Sequence, residues 1–182
     1  KISECFDLLP AAGEVFQVGV MLPRSSESKA VRLCIKGIEV FDIIPYLESI
    51  GWVDPTEDLK EILQNLSDLV DYFAFNISIE NVVHPKIGIE CYIHQEPNFM
   101  NKWSTLLAFL CKKNICAQDK VSSILEWPGY VEEKSCSELW PSNFSYGSSF
   151  VYPKLRSAAA RAINHVKVVY QPLTPLQAKV YL

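Results

Sequence analysis

The chain has 182 residues, 49% of them hydrophobic and 21% charged, the balance of a single globular domain spanning residues 1–182 and able to bury a core. A formal net charge of -4 and a pI near 5.4 exclude the broad basic surface on which non-specific nucleic-acid binding relies, so any anion site must be local. No apolar run approaches the roughly 20 residues of a membrane helix. Glu4 and Asp7 stand where a signal peptide would be apolar, so a cytoplasmic protein without nucleic-acid or membrane partners is expected.

Ile2 to Leu9 reads as the tail of a helix stopped by Pro10 and Gly13. Val15 to Leu22 alternates, with Phe16, Val18, Val20 and Leu22 on the apolar side and Gln17 and Gly19 opposite. After a polar turn from Pro23 to Lys29, Ala30 to Ile38 returns as a strand in which Val31, Leu33 and Ile35 oppose Arg32, Cys34 and Lys36. Two helices follow. The first runs from Asp42 to Ile50 and is closed by Gly51; the second is opened by Asp54-Pro55-Thr56-Glu57, which offers an N-cap, a Pro at the first helical position and a capping-box acid. Its stripe of Leu59, Ile62, Leu63, Leu66, Leu69 and Val70 must cover a sheet.

The same unit then repeats. Tyr72 to Glu80 sets Phe73, Phe75, Ile77 and Ile79 against Ala74, Asn76, Ser78 and Glu80, and Lys86 to His94 sets Ile87, Ile89, Cys91 and Ile93 against Lys86, Gly88, Glu90, Tyr92 and His94. Helices from Pro97 to Lys113 (Trp103, Leu106, Leu107, Leu110) and from Ala117 to Trp127 form the second spacer, with Asn114 as a C-cap and Pro128-Gly129 as a stop. Glu132 to Pro153 lacks periodicity and reads as a long loop able to act as a lid. A short helix near Leu155 to Ile163 leads into a third hairpin, His165 to Gln171 and Gln177 to Leu182. There Val166, Val168, Ala178, Val180 and Leu182 oppose Lys167, Gln171, Gln177, Lys179 and Tyr181. The predicted fold class is α+β: repeated ββαα units, with an antiparallel sheet and helices on one of its faces.

The second strand of each hairpin carries basic residues on its polar face: Arg32 and Lys36, then Lys86, then Lys179. Such a sheet either stays open with that face wet, or curls shut with helices outside and the polar face inside. Glycines (Gly19, Gly88) and tyrosines (Tyr72, Tyr92, Tyr181) among the charges suit a ligand cavity. Counted outward from the hairpin turns, Arg32, Glu90, Lys167, Lys179 and Tyr181 lie at similar distances, which predicts one ring of side chains.

This repeat, with Arg32-x-x-x-Lys36, Lys86-x-x-x-Glu90-x-Tyr92 and Lys179-x-Tyr181 on its polar face, resembles the PT-barrel (ABBA) aromatic prenyltransferases over most of the chain. The resemblance implies a ten-stranded barrel of five repeats, of which this chain carries three, so closure requires further repeats upstream. It also implies a lumen that binds an isoprenoid diphosphate and an aromatic acceptor, often an indole. Lys/Arg and Lys-x-Tyr pairs would hold the diphosphate, and a lumen Glu would serve the acceptor.

The chemistry assigns roles. A departing diphosphate gathers negative charge, which fixed cations in a water-poor site stabilise; Arg32, Lys36, Lys86, Lys167 and Lys179, with Tyr181 as a donor, are the candidates. Tyr72, Tyr92 and Tyr181 would shield the allyl cation by cation-π contact. Glu90 is the candidate base for the acceptor and His94 the reserve. Alternatively, Glu90 only pairs with Lys86 or Lys167, since a charge facing an interior needs a partner. With no Asp-rich DDxxD-type motif and no zinc-like spacing among His84, His94 and His165, no metal site is expected; Mg2+ could assist but is not required. The six cysteines show no CxxC spacing and read as reduced thiols.

The leading expectation is a prenyltransferase of specialised metabolism, its partners an allylic diphosphate and an indole-like acceptor. The alternative is a non-catalytic α/β binding or accessory module that recognises a peptide or an anionic metabolite on the basic sheet face. A phosphate-ester hydrolase ranks third, for want of a metal cluster, a P-loop or a clear nucleophile.

Overall fold

Strict alternation of apolar and polar residues sets the strands of the main sheet. The computed structural model describes residues 1–20, 30–151 and 157–182. Leu22, the turn from Pro23 to Lys29, Pro153 and the start of the helix expected from Leu155 lie outside them. The strands are β1 (Glu14–Val20), β2 (Val31–Lys36), β3 (Tyr72–Ile79), β4 (Ile87–Tyr92), β5 (Gly129–Glu132), β6 (Ala158–Arg161), β7 (His165–Tyr170) and β8 (Gln177–Tyr181). The helices are α1 (Ile2–Asp7), α2 (Val40–Ser49), α3 (Thr56–Ser67), α4 (Phe99–Lys112), α5 (Gln118–Glu126) and α6 (Ser142–Val151). Six strands pair antiparallel in the order β1-β2-β3-β4-β7-β8, while β5 and β6 form a separate ribbon. The fold is α+β, and among the described residues the main sheet is open, with β1 and β8 as its edges.

One face of the sheet makes the core. Leu33, Ile35, Phe75, Ile77, Ile89, Cys91, Val166 and Val168 form a single buried cluster with Ile43 and Leu47 of α2, Leu59, Leu63 and Leu66 of α3, and Trp103, Leu106 and Leu110 of α4. Each such aliphatic or aromatic side chain stabilises the fold by roughly 1.5–3 kcal/mol on burial, which makes this layer the main source of cohesion. Polar ties fix its ends. The Tyr46 hydroxyl donates to the Cys5 carbonyl at 2.8 Å, joining α1 to α2, and the Tyr170 hydroxyl donates to the Pro55 carbonyl at 3.2 Å. Gly37, at φ 78, turns β2 into α2 where a Cβ would overlap the Ala12 carbonyl oxygen, so both conformation and space demand glycine.

Four expectations are corrected. A bulge between Val15 and Gln17 puts Val15 opposite Ile35 on the core side and leaves Phe16 out of the alternation, 39% exposed. At α3 the N-cap is Pro55, not Asp54, and it makes no side-chain cap bond; Glu57 and Asp58 in the first turn supply the favourable charge instead. The segment expected as a loop from Glu132 to Pro153 contains the end of β5, a short 3-10 turn (Glu133–Ser135) and α6. Its Ser-rich sequence hides the helix, which is anchored where Ser145 Oγ donates to Glu133 Oε1 at 2.8 Å. Finally, Ala158–Arg161 is a strand, not part of a helix: it pairs antiparallel with Gly129–Glu132, and that tertiary pairing overrides the helix preference of its alanines.

Candidate functional site

Register arranges the polar face of the main sheet in rows that cross the strands. Arg32 lies between Gly19 and Ser78, and Lys86 precedes β4 at the same end of the face, where the register shifts and the Ser78 carbonyl accepts from the His84 N–H at 2.8 Å. The next row holds Cys34, Asn76, Gly88 and Val169. Beyond it come Glu14, Lys36, Ala74, Glu90, Lys167 and Lys179, and then Tyr72, Tyr92, His165 and Tyr181. The face therefore grades from a cationic end, through a buried polar centre, to an aromatic end.

At the centre, Glu90 and Lys167 are buried and their side chains are each 11% exposed. Lys167 Nζ donates to Asn76 Oδ1 at 2.8 Å and to Glu90 Oε1 at 3.4 Å, Asn76 Nδ2 donates to the same Oε1 at 3.0 Å, and the Tyr92 hydroxyl donates to Oε2 at 3.1 Å. Each carboxylate oxygen is thus engaged. Burial holds the Lys167 ammonium below its ordinary pKa, with Glu90 opposing and Arg32 adding to that shift. Burial first, and then the Glu90 charge, push the Tyr92 phenol above the usual range.

Gly88 provides the room for this cluster. A Cβ there would overlap both Lys167 Cε and Asn76 Oδ1. Gly88→Ala is expected to push the ammonium off Asn76 and lower stability by about 1–3 kcal/mol, read from the urea midpoint. A midpoint within about 0.3 kcal/mol of the parent would show that the cluster has slack.

At the aromatic end the rings stack on one another. Tyr72 and Tyr92 are parallel to within 4° at 4.8 Å between centroids, Tyr92 meets His165 at 5.0 Å, His165 stacks on Tyr181 at 4.2 Å, and His94 closes the row on Tyr72 at 5.2 Å. Rings engaged this way present their edges to the outside, and a free face only at the ends of the row. His165 Nδ1 bonds Asn164 Oδ1 at 2.6 Å while Nε2 is buried without a partner. If Nδ1 carries the proton, Nε2 is a bare acceptor. Burial lowers this imidazole's pKa, with Glu90 opposing and Lys167 adding to the shift.

The remaining predicted residues separate into paired and free cations. Lys36 pairs with Glu14 at 3.2 Å and lies over the Phe16 ring at 5.5 Å. Lys86 and Lys179 are exposed and, among the described residues, make no ion pair, while Arg32 is half-buried with its Nε unsatisfied. The single predicted ring is corrected: Glu90, Lys167 and Lys179 share a row, but Arg32 stands two rows to one side and Tyr181 one row to the other. Counting from turns assumed an equal stagger for each hairpin, whereas the stagger is set by strand pairing. Sequence reading missed Asn76 and His165 as members of the site. Asn76 had left a signal, an amide in mid-strand between Phe75 and Ile77 where β propensity disfavours it.

One cavity, of about 250 Å³, borders the aromatic end of this face at Tyr72 and Asp71, and two others lie away from it. A cleft of about 290 Å³ opens between α2 and α3, lined by Phe41, Ile44 and Lys60, and a groove of about 630 Å³ opens between β8 and the α4–α5 pair. Among the described residues no helix is long and apolar enough to cross a membrane, and no group of three His, Cys, Asp or Glu side chains could hold a metal ion. Compared with known proteins, the chain matches no family model, no curated protein and no solved structure.

Proposed function

We propose that the chain is a ligand-binding module whose polar sheet face takes a small phosphorylated metabolite at its cationic end. The observation that carries this reading is the charge pairing: the central cation Lys167 is spent on Glu90, whereas Arg32 in β2 and Lys86 at the entry to β4, at the same end of the polar face, have no acid partner among the described residues. In a chain of net charge -4, two free cations at one end of the sheet face form a local anion site. Arg32 supplies a planar fork and Lys86 a mobile point charge, a combination that suits phosphate oxygens.

Calorimetry with inorganic pyrophosphate and dimethylallyl diphosphate tests it. Binding is expected to weaken about 10- to 100-fold in Arg32→Ala and in Lys86→Ala, the equivalent of one charge-assisted hydrogen bond of roughly 1.5–3 kcal/mol. Equal affinity in parent and variants would overturn the assignment.

The second reading is the prenyltransferase, part of an ABBA-type barrel. It is favoured by the order of groups on one face: cations, then a carboxylate, then a row of tyrosines, the sequence that diphosphate departure, acceptor deprotonation and cation shielding require. In that reading Lys167 and Lys179 join the diphosphate ligands. Glu90→Gln then abolishes turnover with dimethylallyl diphosphate and an indole while leaving diphosphate affinity unchanged; diphosphate binding without any prenyl transfer by the parent supports the module instead.

A further inference from the structure

Helix α4 ends in a way that folds two cysteines together. Its last turn closes with Asn114 in the left-handed region at φ 58, the Ile115 N–H donating to the Leu110 carbonyl at 2.9 Å and the Asn114 N–H to the Cys111 carbonyl at 2.9 Å. This is the paired 6→1 and 5→2 pattern of a Schellman stop, and it reverses the chain over the final helical turn. Cys116, whose N–H also donates to the Leu110 carbonyl at 3.3 Å, is brought back over the turn that carries Cys111. Both are half-buried, and Cys116 also reaches the Ala117 carbonyl at 3.5 Å.

We propose that Cys111 and Cys116 are an oxidisable dithiol that closes to an intrachain disulfide by exchange with a small-molecule disulfide such as glutathione disulfide. The Cys111 thiolate attacks one sulfur of glutathione disulfide, forming a mixed disulfide and releasing one glutathione. Cys116 gives its proton to solvent and attacks the Cys111 sulfur of that adduct, releasing the second glutathione. Two protein thiols are oxidised and one disulfide is reduced to two thiols. Cys111 acts first because the Cys116 thiol donates to the Ala117 carbonyl, and burial, with Cys111 adding to it, raises the Cys116 thiol pKa. Cys5, Cys34 and Cys91 are buried, shielded from a charged tripeptide, and Cys136, half-buried like the pair, lies at the end of the short 3-10 turn away from α4 and could form only an adduct of its own. Cys116 also lines the groove beside β8, with Leu107, Ile115, Trp127 and Val180, so the bridge would pin the α4–α5 turn at the edge of that groove.

The test incubates the reduced full chain with glutathione disulfide, blocks free thiols, and maps disulfides by mass spectrometry. Titration in denaturant should fall from six thiols to four, with Cys111–Cys116 as the bridge. Cys116→Ser should stop at a glutathione adduct on Cys111, and Cys111→Ser should form an adduct on Cys116 at least tenfold more slowly. Six unreacted thiols, a bridge between another pair, or a stable glutathione adduct on Cys111 or Cys116 as the parent's end product would each overturn the proposal.

Discussion

Replacing Lys167 with Met should lower stability by roughly 3–5 kcal/mol, because the change removes one partner of a buried ion pair and leaves the Glu90 charge in a site where water cannot reach it freely. Asn76 Oδ1 loses its donor at the same time. Glu90→Gln should cost less than Lys167→Met. Its amide oxygen still accepts from Asn76, and the stranded Lys167, whose pKa burial already lowers, can shed its proton. The double variant should be less damaged than the sum of the two singles, by a coupling of about 0.5–3 kcal/mol, since with both charges gone nothing unpaired remains buried. Urea midpoints of the four proteins at pH 7 measure this cycle. Additive losses, each under about 1 kcal/mol, would place the pair in solvent, where such pairs contribute little.

The same cycle bears on function. A carboxylate engaged by Asn76, Lys167 and Tyr92 has few lone pairs left for a substrate proton, so in the binding-module reading Glu90 is a strut that holds Lys167 down across Gly88. In the prenyltransferase reading one of those donors must yield to the acceptor. Tyr92 is the one placed to do so. Among the described residues it alone bonds Oε2, and it sits on the side of the aromatic row.

Much of this architecture was legible because period-two alternation reports a half-buried strand directly. The faces of β2, β3, β4, β7 and β8 follow from which residues alternate, and the stripes of α3 and α4 follow from 3.6-residue spacing. Candidate-site residues on those strands were legible for the same reason. What alternation cannot carry is stagger. Which residues of neighbouring strands lie opposite depends on hairpin geometry, so Arg32 could be assigned a face but not a row. Nor does it carry pairing: Glu90 could be matched with Lys86 or Lys167, and only the register of β4 on β7 selects Lys167. The bulge at Val15/Gln17 and the four-residue β6 escaped for a related reason, each being decided by a partner strand distant in sequence and not by local preference.

Stability should also fall steeply in alkali, with Cys91 as the first large contributor as pH rises. Its side chain lies on the core face between Phe73 and Val166 with no solvent exposure, and burial pushes its thiol up to about 12 from an ordinary value near 9. A group whose folded-state pKa is raised contributes stability that is complete below the unfolded-state value and lost as pH rises toward the folded one, so the loss runs from about pH 9 to pH 12. At about 1.4 kcal/mol per unit, close to 3 kcal/mol has gone by pH 11. Cys5 and Cys34, raised by burial, add to the loss above pH 9, and Tyr46, Tyr92 and Tyr170 add to it above pH 10. Lys167 works the other way: its depressed pKa means that the unfolded chain binds its proton more tightly, so its contribution grows as pH rises through the interval between the two values. Cys91→Ala separates these effects. It should cost about 1–2 kcal/mol at pH 8 through a small cavity, yet shrink the further loss between pH 8 and pH 11 by about 3 kcal/mol relative to the parent. Urea midpoints at both pH values, in the presence of a phosphine reductant, read the difference. Parallel losses in the two proteins would mean that the thiol ionises as readily in the fold as in the open chain.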